Sequence, residues 1–297
     1  MIKPYKHGRT FNIIFPCAKT NLGRYLREEE HGVGEAWSGP VEMNPLWQQT
    51  LGITRALASI IENPIRFSQD EEKTIGHHLD IKPENILVDN KDTFLISDFG
   101  QAEFIAIPGR TSSQVIGMAG TEAYAPPEIN NVSINFSRKY DVWSLGCVFL
   151  EITAFVCSRH QGVHQLDELR LSKEPGTNNW DDRFFQRDRV SGVCCLKDSI
   201  AGWLNTLPQA HEGVTYDFLE ALIGLMKGML DTDAKTRICI EEVYRRLADM
   251  LLRYGSGRVI TAPIRVRQEE PEIGETILGE MFLKDVEFVA FLFSYQT

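Results

Sequence analysis

The chain is short of several things, and each shortage narrows what it can be. Its six cysteines (Cys17, Cys147, Cys157, Cys194, Cys195, Cys239) never fall into CxxC spacing. Neither a disulfide framework nor a zinc site is expected, and buried reduced thiols are the better reading. No uninterrupted apolar run approaches the ~18 residues a membrane span needs. The opening MIKPYKHGRTFNIIFPCAKT offers no h-region with a small-residue cleavage site after it. Positive charge is outnumbered, 31 Lys and Arg against 41 Asp and Glu, for a net charge of −10 and a pI near 5.3. That balance argues against a nucleic acid or an anionic membrane as the main partner. Internal repeats are missing too. The expected location is cytoplasmic or nuclear.

What is there reads as a soluble globular chain: 297 residues, 43% hydrophobic and 24% charged, enough for one large domain or two small ones. KHGRT (Lys6–Thr10) carries the Gly of a tight turn, FNIIF (Phe11–Phe15) is a short apolar strand and NLGRYLRE is helix-like. HGVGEAWSGP is a loop. From Asn44-Pro45 a helical stripe runs through Leu46, Trp47, Leu51, Thr54, Leu57, Ala58 and Ile61 until Asn63-Pro64 stops it. NILV and FLIS, flanking DNKD, predict a β-hairpin. From Ser137 onward the pattern is mainly helical, in RKYDVWSLGCVFLEITAF, LKDSIAGWLNTL, YDFLEALIGLMKGML and IEEVYRRLADMLLRY. A few early strands followed by many helices predict a mostly helical α+β unit.

One stretch concentrates chemistry. HHLDIKPENILVDNKDTFLISDFG (His77–Gly100) holds an H-x-D-x-K-x-x-N pattern and then D-F-G. Phosphoryl transfer needs a group to orient and deprotonate the nucleophile, metal ligands, and positive charge on the moving group. Asp80 is the candidate base, Lys82 the candidate contact to the γ-phosphate, and Asn85 and Asp98 are oxygen ligands for Mg²⁺. The hairpin between Asn85 and Asp98 would return the chain so that both ligands face one cleft. A specified residue recurs by chance about 5% of the time, which puts the first pattern near ~10⁻³ over a chain of this length. Polar loop residues thrown together at random are not a serious competitor.

These residues resemble the catalytic and metal loops of the eukaryotic protein kinases. GTEAYAPPE (Gly120–Glu128) resembles the end of an activation segment, with Pro126-Pro127-Glu128 where Ala-Pro-Glu is usual. DVWSLG (Asp141–Gly146) resembles the start of the buried central helix, and MLDTDAKTR (Met229–Arg237) the late motif whose Arg pairs with the segment's Glu. The resemblance spans roughly Phe11 to Leu252 and implies further roles. Glu128 and Arg237 would form a buried ion pair, Asp141 would brace the catalytic loop, and His78 with Phe99 would join an internal spine. Thr121 would orient Asp80 and Lys82. FNIIFPCAKTNLGRYL resembles the hinge, with Phe15 as gatekeeper, Cys17 and Ala18 facing adenine, and Leu87 beneath it. Lys82-Pro83-Glu84-Asn85 resembles Ser/Thr kinases more than Tyr kinases, and IIFPCA, the long insertion and WDDRFF resemble fungal kinase-like proteins.

The chain departs from the family pattern in two places. Leu79 stands where an Arg usually reads an activation-loop phosphate, so Thr111, Ser112 and Ser113 are expected to be plain loop residues. Nothing before Phe11 could be a Gly-rich phosphate loop, a β3 Lys or its Glu-bearing helix. Lys3, Lys6 and Lys19 lack the apolar strand context, and HGVGEAW lies after the hinge without a third Gly. The expected organisation is therefore a small-lobe remnant over 1–30, a large lobe over 31–254 and an acidic tail over 255–297. Two functions follow. One is a protein Ser/Thr kinase using ATP and Mg²⁺ on a protein substrate, incomplete as given; the other is a pseudokinase-like interaction module. A small-molecule phosphotransferase shares the catalytic-loop logic but not the PPE, DVWSLG and Arg237 platform.

Overall fold

Asparagine caps start the first two helices, and buried apolar faces hold the elements in place. The computed structural model describes residues 3–7, 10–29, 37–62, 74–106, 120–130, 137–173, 180–188 and 190–255. The expectations for His31–Ala36, for the Asn63-Pro64 stop, for Thr111, Ser112 and Ser113, and for the tail beyond Gly255 lie outside those residues.

Strands β1 (Lys3–His7) and β2 (Thr10–Ile14) pair antiparallel, from Lys3↔Ile14 to His7↔Thr10. The expected strand at Phe11–Phe15 is thus the second arm of a hairpin. Its first arm, KPYKH, has a Pro and too much charge to read as a strand in advance. After a linker, β3 (Thr20–Asn21) runs directly into α1 (Leu22–Arg27). The Asn21 side chain accepts from Arg24 N at 3.0 Å, the N-cap bond that starts the helix. Six residues cannot hold a helix alone. Burial of Leu22, Tyr25 and Leu26 holds this one.

Helix α2 (Leu46–Glu62) starts under a similar cap, with Asn44 Oδ1 accepting from Leu46 N at 3.0 Å. Its buried Thr50 and Thr54 hydroxyls donate back to the carbonyls four residues earlier, so neither enters the core unsatisfied. Strand β4 (Thr74–His77) pairs with β7 (Glu103–Ala106), and β5 (Ile86–Val88) with β6 (Phe94–Ile96). β3 adds to the other edge of β5, giving the order β3-β5-β6.

Helix α3 (Tyr140–Arg170) leaves helical geometry at Ser158 and Arg159, where φ is −145° and 55°, so two helices run end to end. Every residue from Tyr140 to Phe155 is buried. By length and composition such a helix could cross a membrane, but its burial inside the protein accounts for an all-round apolar surface. The second helix, through HQGVHQLDELR, extends past the expected end at Phe155. It was hidden because it carries little apolar periodicity.

Two short hairpins follow, β8 (Ser172–Lys173) with β9 (Trp180–Asp181) and β10 (Phe185–Arg187) with β11 (Cys194–Leu196). Then come α4 (Asp198–Thr206), α5 (Gly213–Met229) and α6 (Ile240–Tyr254). In α6, Ile240, Val243, Leu247, Met250 and Leu251 form one buried stripe against α2 and α5. The result is an α+β architecture: a mostly helical lobe around α3, with small unclosed sheets at its N-terminal side.

Candidate active site

The β5–β6 hairpin brings the two ends of the motif together. Asn85 O accepts from Ser97 N at 2.8 Å and from Ser97 Oγ at 2.9 Å, which sets Asp98 beside the Asp80–Asn85 loop. Asp98 itself is left-handed (φ 59°, ψ 73°), and its Oδ1 accepts from Gly100 N at 3.2 Å. Asn85 is buried and turns its amide NH₂ inward, donating to Asp80 O at 2.9 Å and Asp80 Oδ2 at 2.8 Å.

Asp80 collects the remaining polar groups. Its Oδ1 accepts from Thr121 N at 2.9 Å and from Thr121 Oγ1 at 2.8 Å. Lys82 Nζ lies 2.9 Å from Asp80 Oδ2 and donates to Thr121 Oγ1 at 2.6 Å. A proton-donor chain therefore runs from the ammonium through the hydroxyl to the carboxylate. Asp80, Lys82, Asn85 and Thr121, singled out in the sequence, meet in one cluster.

Hydrogen bonds to Asp141 hold the strained backbone of this cluster in position. Leu79 has φ 64°, a left-handed conformation that a branched side chain adopts only where its surroundings enforce it. The fully buried Asp141 supplies that enforcement, accepting from His78 N at 2.9 Å and from Leu79 N at 2.8 Å. The Leu79 side chain is itself buried, packed with Ala125 and Tyr140 and flanked by Ile129. Opposite lies Gly120, at φ 84°, where a Cβ would come 2.2 Å from Leu79 O. Only glycine lets the incoming segment approach that closely and deliver Thr121 to Asp80.

His78 ties the loop to β6. Its Nδ1 accepts from Asp80 N at 3.3 Å, so Nε2 carries the proton and donates to Ser97 O at 3.0 Å. The ring meets Phe99 edge-on at 4.8 Å. Burial pushes the pKa of His78 below its usual value, in keeping with this neutral tautomer, and burial does the same to His77.

Behind the cluster, Arg237 is wholly buried and forms two bonds of 2.8 Å to Glu128. It also donates to Lys139 O and Asp231 O and lies 5.2 Å from the centre of the Trp143 ring. Sequence reasoning missed a second buried network. Glu151 accepts from Tyr124 OH at 2.7 Å and faces Arg27 at 2.8 Å, and Arg27 in turn forks onto Asp167. The Arg27–Glu151 contact is a close charge pair rather than an aligned hydrogen bond. Its signal was available: a lone carboxylate inside GCVFLEITAF demands a partner.

The expected nucleotide-facing residues fall on the 15–18 linker and on β5. Lys19 N donates to Val88 O at 2.9 Å and Asn21 pairs with Leu87, so the chain that follows the linker runs beside β5. Phe15, Ala18 and Leu87 are half-buried and Cys17 is exposed. For Mg²⁺, the inward-turned Asn85 NH₂ frees its carbonyl oxygen for a cation, and Asp98 is an exposed carboxylate. Two oxygen ligands fit an ion that takes most of its shell from water and phosphate. No group of three or more His, Cys, Asp or Glu side chains suited to a metal occurs among the described residues.

The sequence matches the protein kinase domain family over residues 72–247, more than half of the chain. The match takes in the Asp80 cluster, Asp98, the Glu128–Arg237 pair and α3. It does not reach Phe15, Cys17 or Ala18. A match of that extent, over the segments that build this cluster, makes the chain a member of the protein kinase family.

Proposed function

We infer that these 297 residues by themselves act as a protein-binding member of the family and transfer no phosphoryl group unaided. The observation that carries this reading is an imbalance within the chain. The polar cluster that the resemblance assigns to the substrate side is present, from Asp80 through Thr121, as is the Glu128–Arg237 pair. Upstream of the 15–18 linker, however, residues 1–14 contain no Gly-rich loop and no Lys set in a V-A-I-K strand. Efficient transfer requires both the phosphate clamp and the metal loop. The test is partner capture by the full chain with and without Mg²⁺-ATP, using wild type and Asp98→Ala. Equal capture in all four conditions supports the reading, whereas strict dependence on ATP sinks it.

A second reading is favoured by the intact polar cluster: a protein Ser/Thr kinase that is competent once a phosphate clamp is supplied. ATP would bring the phosphoryl group, with Mg²⁺ held by Asn85 and Asp98. Asp80 would orient the acceptor hydroxyl and take its proton, and Lys82, paired through Thr121, would present positive charge to the group in transit. Restoring a small lobe and assaying Ser/Thr phosphorylation decides it. Full activity in Asp80→Asn would refute the assignment.

A further inference from the structure

A cavity of about 920 Å³ opens on the far side of the Glu128–Arg237 pair, between the start of α3, the β10–β11 hairpin and the start of α6. None of Asp80, Lys82, Asn85, Asp98 or Thr121 lines it. Its rim is basic: Arg138, Lys139, Arg187 and Lys235. Lys139 donates to Lys235 O at 2.9 Å. Arg138, Arg187 and Lys235 are exposed and make no side-chain hydrogen bond or ion pair among the described residues. The acids nearby offset them only in part: Glu128 is taken by Arg237, and the four rim cations face two further carboxylates, Asp233 and Glu241. In a chain of net charge −10, this local excess of cations around one cavity favours an anionic counterpart.

The walls specify which kind of anion. Ile61, Val193 and Ile240 line the cavity beneath the basic rim. The turn of the β10–β11 hairpin beside it carries two exposed apolar side chains, Val190 and Val193, 96% and 62% exposed. Apolar surface of this kind beside a charged rim marks a protein contact rather than a bare phosphate site. Nucleic acid is disfavoured by the overall negative charge.

We propose that this cavity docks an acidic peptide segment of a partner protein, its carboxylates on Arg138, Arg187 and Lys235 and an apolar side chain among them against Val193 and Ile240. The site is independent of phosphoryl transfer and holds a partner whether or not the Asp80 cluster is active.

The test is fluorescence anisotropy of the full chain with a labelled ten-residue peptide in which Glu alternates with Leu, at low and at physiological salt. Saturable binding that weakens with salt is expected, with no binding of the Lys-for-Glu version. Reversing two rim charges in Arg138→Glu/Lys235→Glu should weaken binding by about tenfold or more, because like charges then face each other. Val193→Asp should weaken it several-fold at unchanged melting temperature. These side chains are exposed and unpartnered, so folding should survive, and Arg187→Glu gives an independent repeat. Failure of the Glu/Leu peptide to bind overturns the proposal, as does unchanged affinity in the double variant. Equal affinity for an all-Glu peptide overturns it in favour of a non-specific polyanion patch. Glu269, Glu270, Glu272 and Glu275 can be changed to Gln together in the full chain. If that raises affinity about tenfold, the occupant is the chain's own tail, which also overturns the proposal.

Discussion

Arg237→Met removes one charge from the core while keeping most of the volume, and its cost can be worked from its contacts. The guanidinium is fully buried, forks onto Glu128 with two 2.8 Å bonds, and satisfies Lys139 O and Asp231 O. Methionine leaves Glu128, itself 8% exposed, without its countercharge. Breaking a buried pair by deleting one partner costs roughly 3–5 kcal/mol. For a domain of this size that corresponds to a melting point lower by roughly 6–20 °C. Urea denaturation of wild type, Arg237→Met, Glu128→Met and the double variant measures it. The double variant should recover much of the loss, because an apolar replacement of the whole pair removes the stranded charge. Arg245→Ala, which breaks a surface pair with Glu242, should leave the midpoint where it is. An Arg237→Met protein within about 1 kcal/mol of wild type would refute the reasoning, since even one stranded buried charge exceeds that.

Gly120→Ala drives a Cβ to within 2.2 Å of Leu79 O at φ 84°. It should cost about 2 kcal/mol or more and open the segment around Thr121 to limited proteolysis. Thr121→Val deletes the hydroxyl that bridges Lys82 and Asp80 and should lower stability by about 1–2 kcal/mol, with Thr121→Ser close to wild type in the same urea titration. Acid should weaken the fold through His77 and His78, whose folded pKa values lie below the ordinary one. The unfolded chain then binds the extra proton, so stability is fully present above about pH 6.5. It falls as the pH drops toward the lowered folded values, by up to about 1.4 kcal/mol per pH unit per histidine. A His78→Phe protein whose melting temperature still falls as steeply between pH 6.5 and 5 would show that His78 is not responsible.

The helices were legible where an apolar stripe repeats at helical spacing, as in α2 and α6. The meeting of Asp80, Lys82 and Asn85 was legible in their close spacing along one short loop. Other features were not. The second half of α3 is polar enough to pass for a loop, and the arms β8 to β11 are two or three residues long, below any periodicity. The contact between Gly120 and Leu79 joins residues 41 positions apart through backbone alone (120 − 79). No side-chain pattern announces a carbonyl that forbids a Cβ. Arg27, Glu151 and Asp167 come from separate helical stretches, and only the fold reveals that they share a charge network.

Leu79 fastens the Asp80 loop to the incoming segment by burial against Ala125 and Tyr140. A clasp built on water exclusion has different habits from one built on a phosphate and an arginine. It carries no net charge, so salt screening leaves it untouched and no phosphatase can undo it. Its strength tracks temperature instead, fading on cooling as apolar hydration becomes less costly. Chilling should therefore slacken the apolar share of this clasp and leave to the Asp141 and Thr121 hydrogen bonds the holding of the Asp80 loop.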